Sequence, residues 1–284
     1  MNATHQKLPD GTIELTITIP LATVAQNYND VVEAYVTQAE LPGFRKGKAP
    51  RNLVEEKIDK SKAYEDVIKK LLPTIYNEAV MEQKLHPIVS PKIEFKKAEE
   101  GKDWVIKIYT CEKPELTLGD YKTAIHALNV SKQKKIWVPG KDPKPEDDAP
   151  QKPTIDELLQ VLLKTITVTL PALLLENEVN RLLSELIDQT KKLGLSVEQY
   201  LASTQRNAET IKKEYGTQAK NTLTLEFALE AIADKEGILV GDDDIDTVIK
   251  TAKTEEEKKA LSAQRYYLAS ILRRQKTLDT LAAL

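Results

Sequence analysis

The stretch "IELTITI", residues 13–19, alternates apolar and polar side chains along its whole length. A period of two residues is typical of a strand with one buried and one solvated face. Residues 23–40 change to apolar side chains at every third or fourth position, which predicts an amphipathic helix. The Asp10-Gly11 pair just before the strand predicts a hairpin turn. A hairpin that leads directly into a long helix predicts an α+β domain.

This domain is expected to extend to residue 129. Residues 92–97 and 103–112 alternate again and predict a second antiparallel strand pair. Residues 61–85 have helical spacing, and Pro73 lies inside them. Because proline lacks the amide hydrogen that an interior turn needs, we expect Pro73 to split or kink this helix. Residues 1–129 therefore predict antiparallel strands combined with helices.

The remainder of the chain divides into a linker and a helical domain. Residues 130–153 include "PGKDPKPEDDAPQKP", whose five prolines and mixed charges predict a stiff, extended linker. Residues 154–284 have helical patterns throughout, with capping boxes that begin at Ser196 and Thr254 and a helix end at Gly237. The predicted protein is multidomain and helix-rich, with an α+β N-terminal domain and an all-α C-terminal domain.

The composition of the chain argues against nucleic-acid-binding, membrane and disulfide-linked classes of protein. The 284 residues carry a net charge of −3, so the chain as a whole has no electrostatic attraction to nucleic acid or anionic lipid. No stretch approaches the roughly 18 apolar residues of a membrane span. Cys111 is the only cysteine, which excludes an intrachain disulfide and suits a reducing compartment. We therefore expect a cytoplasmic protein with no membrane partner.

No stretch of the sequence fits the known patterns of a catalytic, metal-binding or cofactor-binding site. The three histidines are far apart in the sequence and have no metal-ligand spacing. Residues 43–49, "GFRKGKA", differ from a phosphate-binding loop because only three residues separate the glycines and alanine follows the last lysine. The acidic run in residues 241–250 lacks the calcium-loop pattern, and Asp242 is expected to cap a helix instead. We expect no catalytic residue, no metal and no cofactor.

A cationic loop at residues 41–50, "LPGFRKGKAP", lies between the predicted helix 23–40 and a further helix predicted for residues 51–58. Pro42 and Pro50 are expected to end the first helix and begin the next. Its glycines permit positive φ or close approach to a partner, its cations suit phosphate or carboxylate, and its phenylalanine suits an interface anchor. An alternative is that the phenylalanine packs back between the helices and the cations are only solvated. The candidate binding residues are Gly43, Phe44, Arg45, Lys46, Gly47 and Lys48.

The segment "GFRKGKAP" closely resembles the ribosome-binding signature of the trigger factor family of bacterial chaperones. The resemblance continues in the same order through "ELTITIP", "VSPKIEF…WVIKIYTCEKPEL" and "EAIADKEGILVGDDDIDTVI", and it spans residues 1–129 and 154–284. It implies that Phe44, Arg45 and Lys46 contact a ribosomal protein and rRNA of the large subunit beside the tunnel exit. It also implies that the C-terminal helices hold unfolded or nascent polypeptides.

The sequence departs from that family at one place. Members usually carry a prolyl-isomerase domain of the FK506-binding type between the two parts, whereas this chain has only residues 130–153 there. So short a segment cannot fold as a domain, because chains below about 40 residues rarely fold without staples. We therefore expect an ATP-independent chaperone without isomerase activity that docks through the 43–50 loop. Alternatives are an off-ribosome assembly chaperone or holdase, a homodimer of this kind, a degenerate isomerase, and an RNA-binding module that uses the same loop.

Overall fold

The structure is a computed structural model, and it describes residues 2–97, 101–133, 153–252 and 254–284. The chain divides into two compact units. The first comprises Met1–Lys113 with Pro171–Leu174, and the second comprises Pro114–Leu170 with Leu175–Leu284. The first unit is an antiparallel sheet with helices and the second is rich in helices, so the predicted fold class is confirmed.

A four-stranded antiparallel sheet, in the order β1-β2-β4-β3, forms the first unit together with three helices. The predicted hairpin is the β1–β2 pair, and the second predicted pair is β3–β4. The elements are β1 (Asn2–Lys7), β2 (Thr12–Ile19), α1 (Leu21–Gln38), α2 (Arg51–Glu55), α3 (Lys60–Glu82), β3 (Lys92–Lys97) and β4 (Trp104–Cys111).

Apolar and polar side chains alternate along β2 and β4, which places the apolar ones together on one face of the sheet, and this face is buried. The apolar residues of β2 are opposite those of β4 in register, with Leu15 paired to Ile108 and Ile17 to Ile106. Helices α1 and α3 cover this face, because their own apolar stripes recur at helical spacing. The core residues are Ile13, Leu15, Ile17, Ile19, Val24, Val67, Leu71, Ile75, Ala79, Trp104, Ile106 and Ile108.

Two helices of the first unit differ from their predicted extents. Helix α3 continues through Pro73 as one helix, so of the two expected effects, a split or a kink, the split is wrong. Pro73 lies on the solvent side, while Leu71 and Ile75 on the opposite face are buried, and their packing holds the helix together across the missing hydrogen bond. Helix α2 ends at Glu55 instead of continuing to residue 58.

Eight helices and one short strand pair make up the described part of the second unit. The two-residue strands β5 and β6 pair with each other, which is an exception to the all-α prediction. The elements are β5 (Leu116–Thr117), α4 (Tyr121–Gln133), α5 (Ile155–Thr165), β6 (Thr167–Val168), α6 (Ala172–Lys192), α7 (Val197–Ser203), α8 (Ala208–Lys235), α9 (Asp242–Lys250), α10 (Glu255–Ala263) and α11 (Arg265–Ala282).

The boundary between the units lies before α4, not at residue 129. Tyr121 and Ile125 of α4 are buried in the core of the helical unit, together with residues of α5, α8 and α11. The Tyr121 hydroxyl also donates to Oε1 of Glu236 at 2.6 Å. Helix α4 runs to Gln133 and so includes the first residues of the expected linker. The rest of that linker, residues 134–152, lies outside the described residues.

Helix ends in the second unit follow the capping patterns with two exceptions. The predicted capping boxes at Ser196 and Thr254 are both formed, and Gly237 ends α8 with φ +65°. Asp242 is not the cap of α9. Gly241 occupies the cap position, and the Asp244 carboxylate accepts from its amide at 3.0 Å. The helical pattern that follows Thr254 forms two helices and not one, because α10 ends before Gln264 and α11 begins at Arg265.

Candidate functional site

Two consecutive turns give the cationic loop its shape. In the first, the Phe44 amide donates to the Leu41 carbonyl at 3.0 Å. Pro42 and Gly43 occupy the two central positions, and Gly43 has φ +86°. Proline followed by a residue of positive φ is the signature of a type II turn, which explains both residue types.

The second turn closes the loop against the end of α1. The Lys48 amide donates to the Arg45 carbonyl at 2.9 Å, and the Gly47 amide donates to the Ala39 carbonyl at 3.0 Å. Gly47 has φ +70°, and a Cβ atom at this position would lie 2.6 Å from the Thr37 carbonyl oxygen. Gly47 is therefore required both for its backbone conformation and for the close approach to α1.

Side-chain contacts hold the helices beneath the loop together. The Arg51 guanidinium, at the start of α2, donates to Oδ1 of Asn29 on α1 at 2.6 Å. The Tyr35 hydroxyl donates to the Asp66 carboxylate on α3, and this hydrogen bond raises the pKa of Tyr35 to about 12. Because both ends of the loop are anchored, its tip is presented on a fixed base.

The side chains at the tip point to solvent. Phe44 keeps 42% of its surface exposed, so it is not buried between the helices. Lys46 lies 3.3 Å from Glu40 in a solvent-exposed ion pair. Arg45 and Lys48 are exposed and have no side-chain partner among the residues that the structure describes. All six predicted site residues thus lie together in one protruding loop.

This arrangement suits an acidic partner that also offers apolar surface. The planar guanidinium of Arg45 can form two parallel hydrogen bonds to a carboxylate or a phosphate. An aromatic ring held at a tip can enter an apolar pocket, and aromatic and arginine side chains supply much of the free energy at protein interfaces. Ala49, next to the tip, is buried, while Phe44 and Arg45 remain exposed.

A second candidate surface lies between α8 and α11 in the helical unit. A cavity of about 450 Å³ opens there, with Leu239 and Tyr266 at its edge, 78% and 91% exposed. Its two arginines are already paired, Arg273 with Asp234 at 2.6 Å and Arg274 with Glu226 at 2.8 Å. The exposed apolar groups, rimmed by paired charges, can contact apolar polypeptide segments without sequence selectivity.

The sequence patterns did not identify this surface. Helical spacing would place Leu193 and Ile271 on the inward faces of their helices, but both are exposed, and Leu193 is 70% exposed. Tyr266 and Tyr267 were not singled out. Their adjacency was an available signal, because neighbouring positions on a helix point in directions about 100° apart and cannot both face one core.

Three other features bear on function among the described residues: groups that could bind a metal, the single cysteine, and helices that could span a membrane. No three His, Cys, Asp or Glu side chains cluster there as metal ligands would. Burial raises the pKa of the Cys111 thiol to about 11, so this residue is a packed, protonated side chain. None of the described helices has the length and apolar character needed to span a bilayer.

Comparison with known proteins gives matches over both units. The family described as "Bacterial trigger factor protein (TF)" matches residues 1–136, and the one described as "Bacterial trigger factor protein (TF) C-terminus" matches residues 148–283. Proteins named trigger factor from Staphylococcus epidermidis and Staphylococcus aureus are each 35% identical over 133 residues. Each of these matches covers 47% of this chain and 30% of the relative.

A solved structure described as "Promiscuous Substrate Recognition in Folding and Assembly Activities of the Trigger Factor Chaperone" has the same fold. It aligns with 100% of this chain and 99% of its own, with a TM-score of 0.66 and 15% identity. The curated relatives are matched over less than a third of their length, but the N-terminal and C-terminal family matches together account for nearly all of this chain. The chain therefore belongs to the trigger factor family.

Proposed function

We propose that this protein is an ATP-independent chaperone that docks beside the exit of the ribosomal tunnel and holds nascent or unfolded chains on its helical unit. The geometry of the 43–50 loop carries the proposal. Backbone hydrogen bonds close the loop, while Phe44 and Arg45 remain exposed at its tip. The family resemblance names the partner of such a tip as a ribosomal protein and rRNA of the large subunit.

A fixed tip favours docking because less conformational entropy is lost when it binds. Ordering a flexible side chain at an interface costs about 0.5–1.5 kcal/mol, and ordering a loop backbone costs more. The two turns and the Gly47–Ala39 hydrogen bond order this backbone before binding. Most of the contact free energy of Phe44 and Arg45 can then contribute to affinity.

The helical unit is proposed to bind clients through dispersed apolar groups. Leu239, Tyr266 and Tyr267 are exposed around or near the α8–α11 cavity. Shallow apolar contacts give weak, unselective binding, which a client can leave as it buries its own apolar residues. Because the loop sequence does not fit a phosphate-binding motif, the proposal needs no nucleotide cycle for release.

The proposed function does not include prolyl isomerisation. The two family matches leave only residues 137–147 between them. A segment this short is far below the roughly 40 residues at which chains begin to fold unaided. A proline isomerisation assay on a short peptide tests this point, and rate enhancement by the purified chain would contradict it.

An RNA-binding module is a weaker candidate because the open face of the sheet lacks a platform on which bases could stack. Trp104 is buried, so it offers no stacking surface. The Tyr109 hydroxyl donates to Glu94 at 3.1 Å, and Glu14 lies beside it on the same face, paired with Lys107 at 2.7 Å. Glu94 is likewise paired with Lys96 at 2.5 Å, and the tyrosine held between these ion pairs differs from the aromatic platforms of sheet-based RNA readers.

Co-sedimentation with bacterial ribosomes tests docking. Changing Phe44, Arg45 and Lys46 together to alanine should abolish binding, since the tip supplies the contacts but contributes little to the core. The control is Lys7→Ala with Lys84→Ala, which removes two positive charges from exposed positions of the same unit. Undiminished sedimentation of the triple variant would refute the docking site.

Suppression of client aggregation separates the chaperone function from docking. The loop variant should protect an unfolded client as well as the wild-type chain does, because the proposed client surface lies in the other unit. Tyr266→Ser with Leu239→Ser should protect less, without loss of ribosome binding. An off-ribosome assembly chaperone is the second candidate. The exposed apolar groups of the helical unit favour it, and the description of the structural neighbour credits that protein with assembly activities.

A further inference from the structure

A short connecting segment forms one edge of the α8–α11 cavity. This strap, residues 236–241, joins α8 to α9, and Leu239 and Val240 on it line the cavity. Ile238 and Val240 are half-buried, while Leu239, between them, is 78% exposed. The strap therefore presents Leu239 to solvent, where the proposed client surface requires an apolar group.

Backbone amides anchor the two ends of the strap. At its start, the Ile238 amide donates to the Ala233 carbonyl at 2.8 Å, which closes the end of α8. At its finish, the Gly241 amide donates to Oδ2 of Asp244 at 3.0 Å. In the described part of the chain, no hydrogen bond holds the backbone of the two residues between these ends. The position of Leu239 therefore depends on what else holds the strap.

An arginine of α11 makes that further contact. Nε of Arg273 donates to the Ile238 carbonyl at 2.8 Å, and Nη2 donates to Oδ1 of Asp234, in the last turn of α8, at 2.6 Å. Both nitrogens belong to one rigid, planar group, so the two acceptors are held in a fixed geometry. Hydrogen bonds from a charged donor are also stronger than those between neutral groups. One side chain thus links the strap, the end of α8 and α11.

We propose that Arg273 is a positioning residue of the client surface, and that it holds the strap so that Leu239 stays at the mouth of the cavity. The inference rests on the function proposed for the helical unit. When the strap is released, fewer molecules present Leu239 beside Tyr266, which lines the same cavity from α11. Since apparent affinity falls with the fraction of molecules in the binding-competent conformation, client binding should weaken.

Three variants of the full chain separate the hydrogen bond to the strap from the ion pair. Asp234→Asn removes the ion pair but leaves the bond from Arg273 to the Ile238 carbonyl, so client affinity should fall by about twofold at most. Arg273→Lys keeps the ion pair, but its ammonium prefers the Asp234 carboxylate to a neutral carbonyl and lacks the fork that reaches both. Arg273→Leu removes both contacts. Each change at position 273 should weaken client affinity about threefold to tenfold.

Client affinity is measured by fluorescence anisotropy with labelled lysozyme that has been reduced and carboxymethylated, so that it stays unfolded. Urea unfolding of each variant reports global stability. If Arg273→Leu does not fold, the comparison of Arg273→Lys with Asp234→Asn is sufficient, because each of these replaces a side chain by one of similar size.

A spin label at position 239 reports the strap directly. Leu239→Cys can be labelled alone, because the chain's one other thiol, Cys111, is buried and protonated. The label should become more mobile when Arg273→Lys is added and should be unchanged when Arg274→Lys is added. Arg274 is the matched control, since it lines the same cavity but pairs with Glu226 at 2.8 Å.

The outcomes separate this inference from the function on which it rests. Equal label mobility in the two lysine variants, or wild-type client affinity in Arg273→Lys, would overturn the inference. An Asp234→Asn variant as weak as Arg273→Lys would also overturn it, because the ion pair would then account for the effect. If the wild-type chain does not bind the unfolded lysozyme, or if Tyr266→Ser with Leu239→Ser binds it equally well, the proposed client surface itself fails.

Discussion

Replacing the two loop glycines by alanine should have unequal effects, although both have positive φ. A Cβ atom added at Gly43 would have no neighbouring atom within 4 Å, so alanine there meets only the cost of the left-handed conformation. That cost is about 1–2 kcal/mol for an L-residue. At Gly47 the added Cβ would also lie 2.6 Å from the Thr37 carbonyl oxygen, so the loop must move away from α1.

The displacement at position 47 adds to the conformational cost. It breaks the hydrogen bond from the residue 47 amide to the Ala39 carbonyl, which contributes about 1 kcal/mol. We therefore expect the docking conformation to be disfavoured by about 2–3 kcal/mol in Gly47→Ala and by about 1–2 kcal/mol in Gly43→Ala. Apparent affinity falls in proportion to the fraction of molecules in the binding-competent conformation. Since the two variants differ by about 1 kcal/mol in this conformational free energy, the Gly47→Ala variant should bind ribosomes about fivefold more weakly than Gly43→Ala.

Asparagine at the same positions separates the two causes. Asparagine tolerates positive φ better than alanine but still carries a Cβ atom. Gly43→Asn should therefore bind almost like the wild-type chain, whereas Gly47→Asn should remain impaired. Urea unfolding of each variant gives the control for global stability, since the loop lies outside the main core. Equal affinities of the two alanine variants, or normal binding by Gly47→Asn, would refute the geometric argument.

Three further predictions concern stability. Pro73→Ala should raise the free energy of unfolding by about 1–3 kcal/mol, because α3 regains an interior hydrogen bond, and a destabilised variant would contradict this. Thr154→Ala should lower the free energy of unfolding by about 1 kcal/mol through loss of the capping box of α5, as measured by urea denaturation, and an unchanged midpoint would count against it. The pKa of Glu14 is lowered chiefly by the hydrogen bond from Lys107, so its stabilising contribution is complete above the ordinary value of 4.5 and is lost as the pH falls through the lower folded value. Lys107→Met should therefore make unfolding stability less sensitive to acid below pH 4.5 than in the wild-type chain, and identical acid dependence would show that the pair contributes nothing.

Sequence patterns correctly predicted those strands, turns and helix ends whose short-range signals agree with the way the chain packs. The alternation of β2, the hairpin at Gly11 and the capping boxes at Ser196 and Thr254 each have a short-range physical cause, and all are present in the structure. The 41–50 loop belongs to the same class. Proline and glycine at fixed positions specify its turns, and the hydrogen bonds that close them join residues close in the sequence.

Features that depend on tertiary packing were predicted less well. Helix α4 belongs to the second compact unit because it packs against α5, α8 and α11, and no short-range pattern reports such packing. Packing of Leu71 and Ile75 against the sheet outweighs the helix-breaking tendency of Pro73. The exposure of Leu239, in the segment between α8 and α9, likewise depends on which helices meet, whereas the adjacency of Tyr266 and Tyr267 was a signal within one helix.

The salt dependence of ribosome binding by the full chain tests the central claim most directly. The account has Arg45 and neighbouring cations of the loop contact rRNA phosphates as well as a ribosomal protein. Each phosphate contact releases a counterion from the RNA, and each released counterion steepens the fall of log affinity with log salt concentration. Two or three such contacts predict a slope of about −2. The triple alanine variant should show no specific binding at any salt concentration. A wild-type affinity that is independent of salt, or a triple variant with the wild-type affinity and slope, would contradict the account.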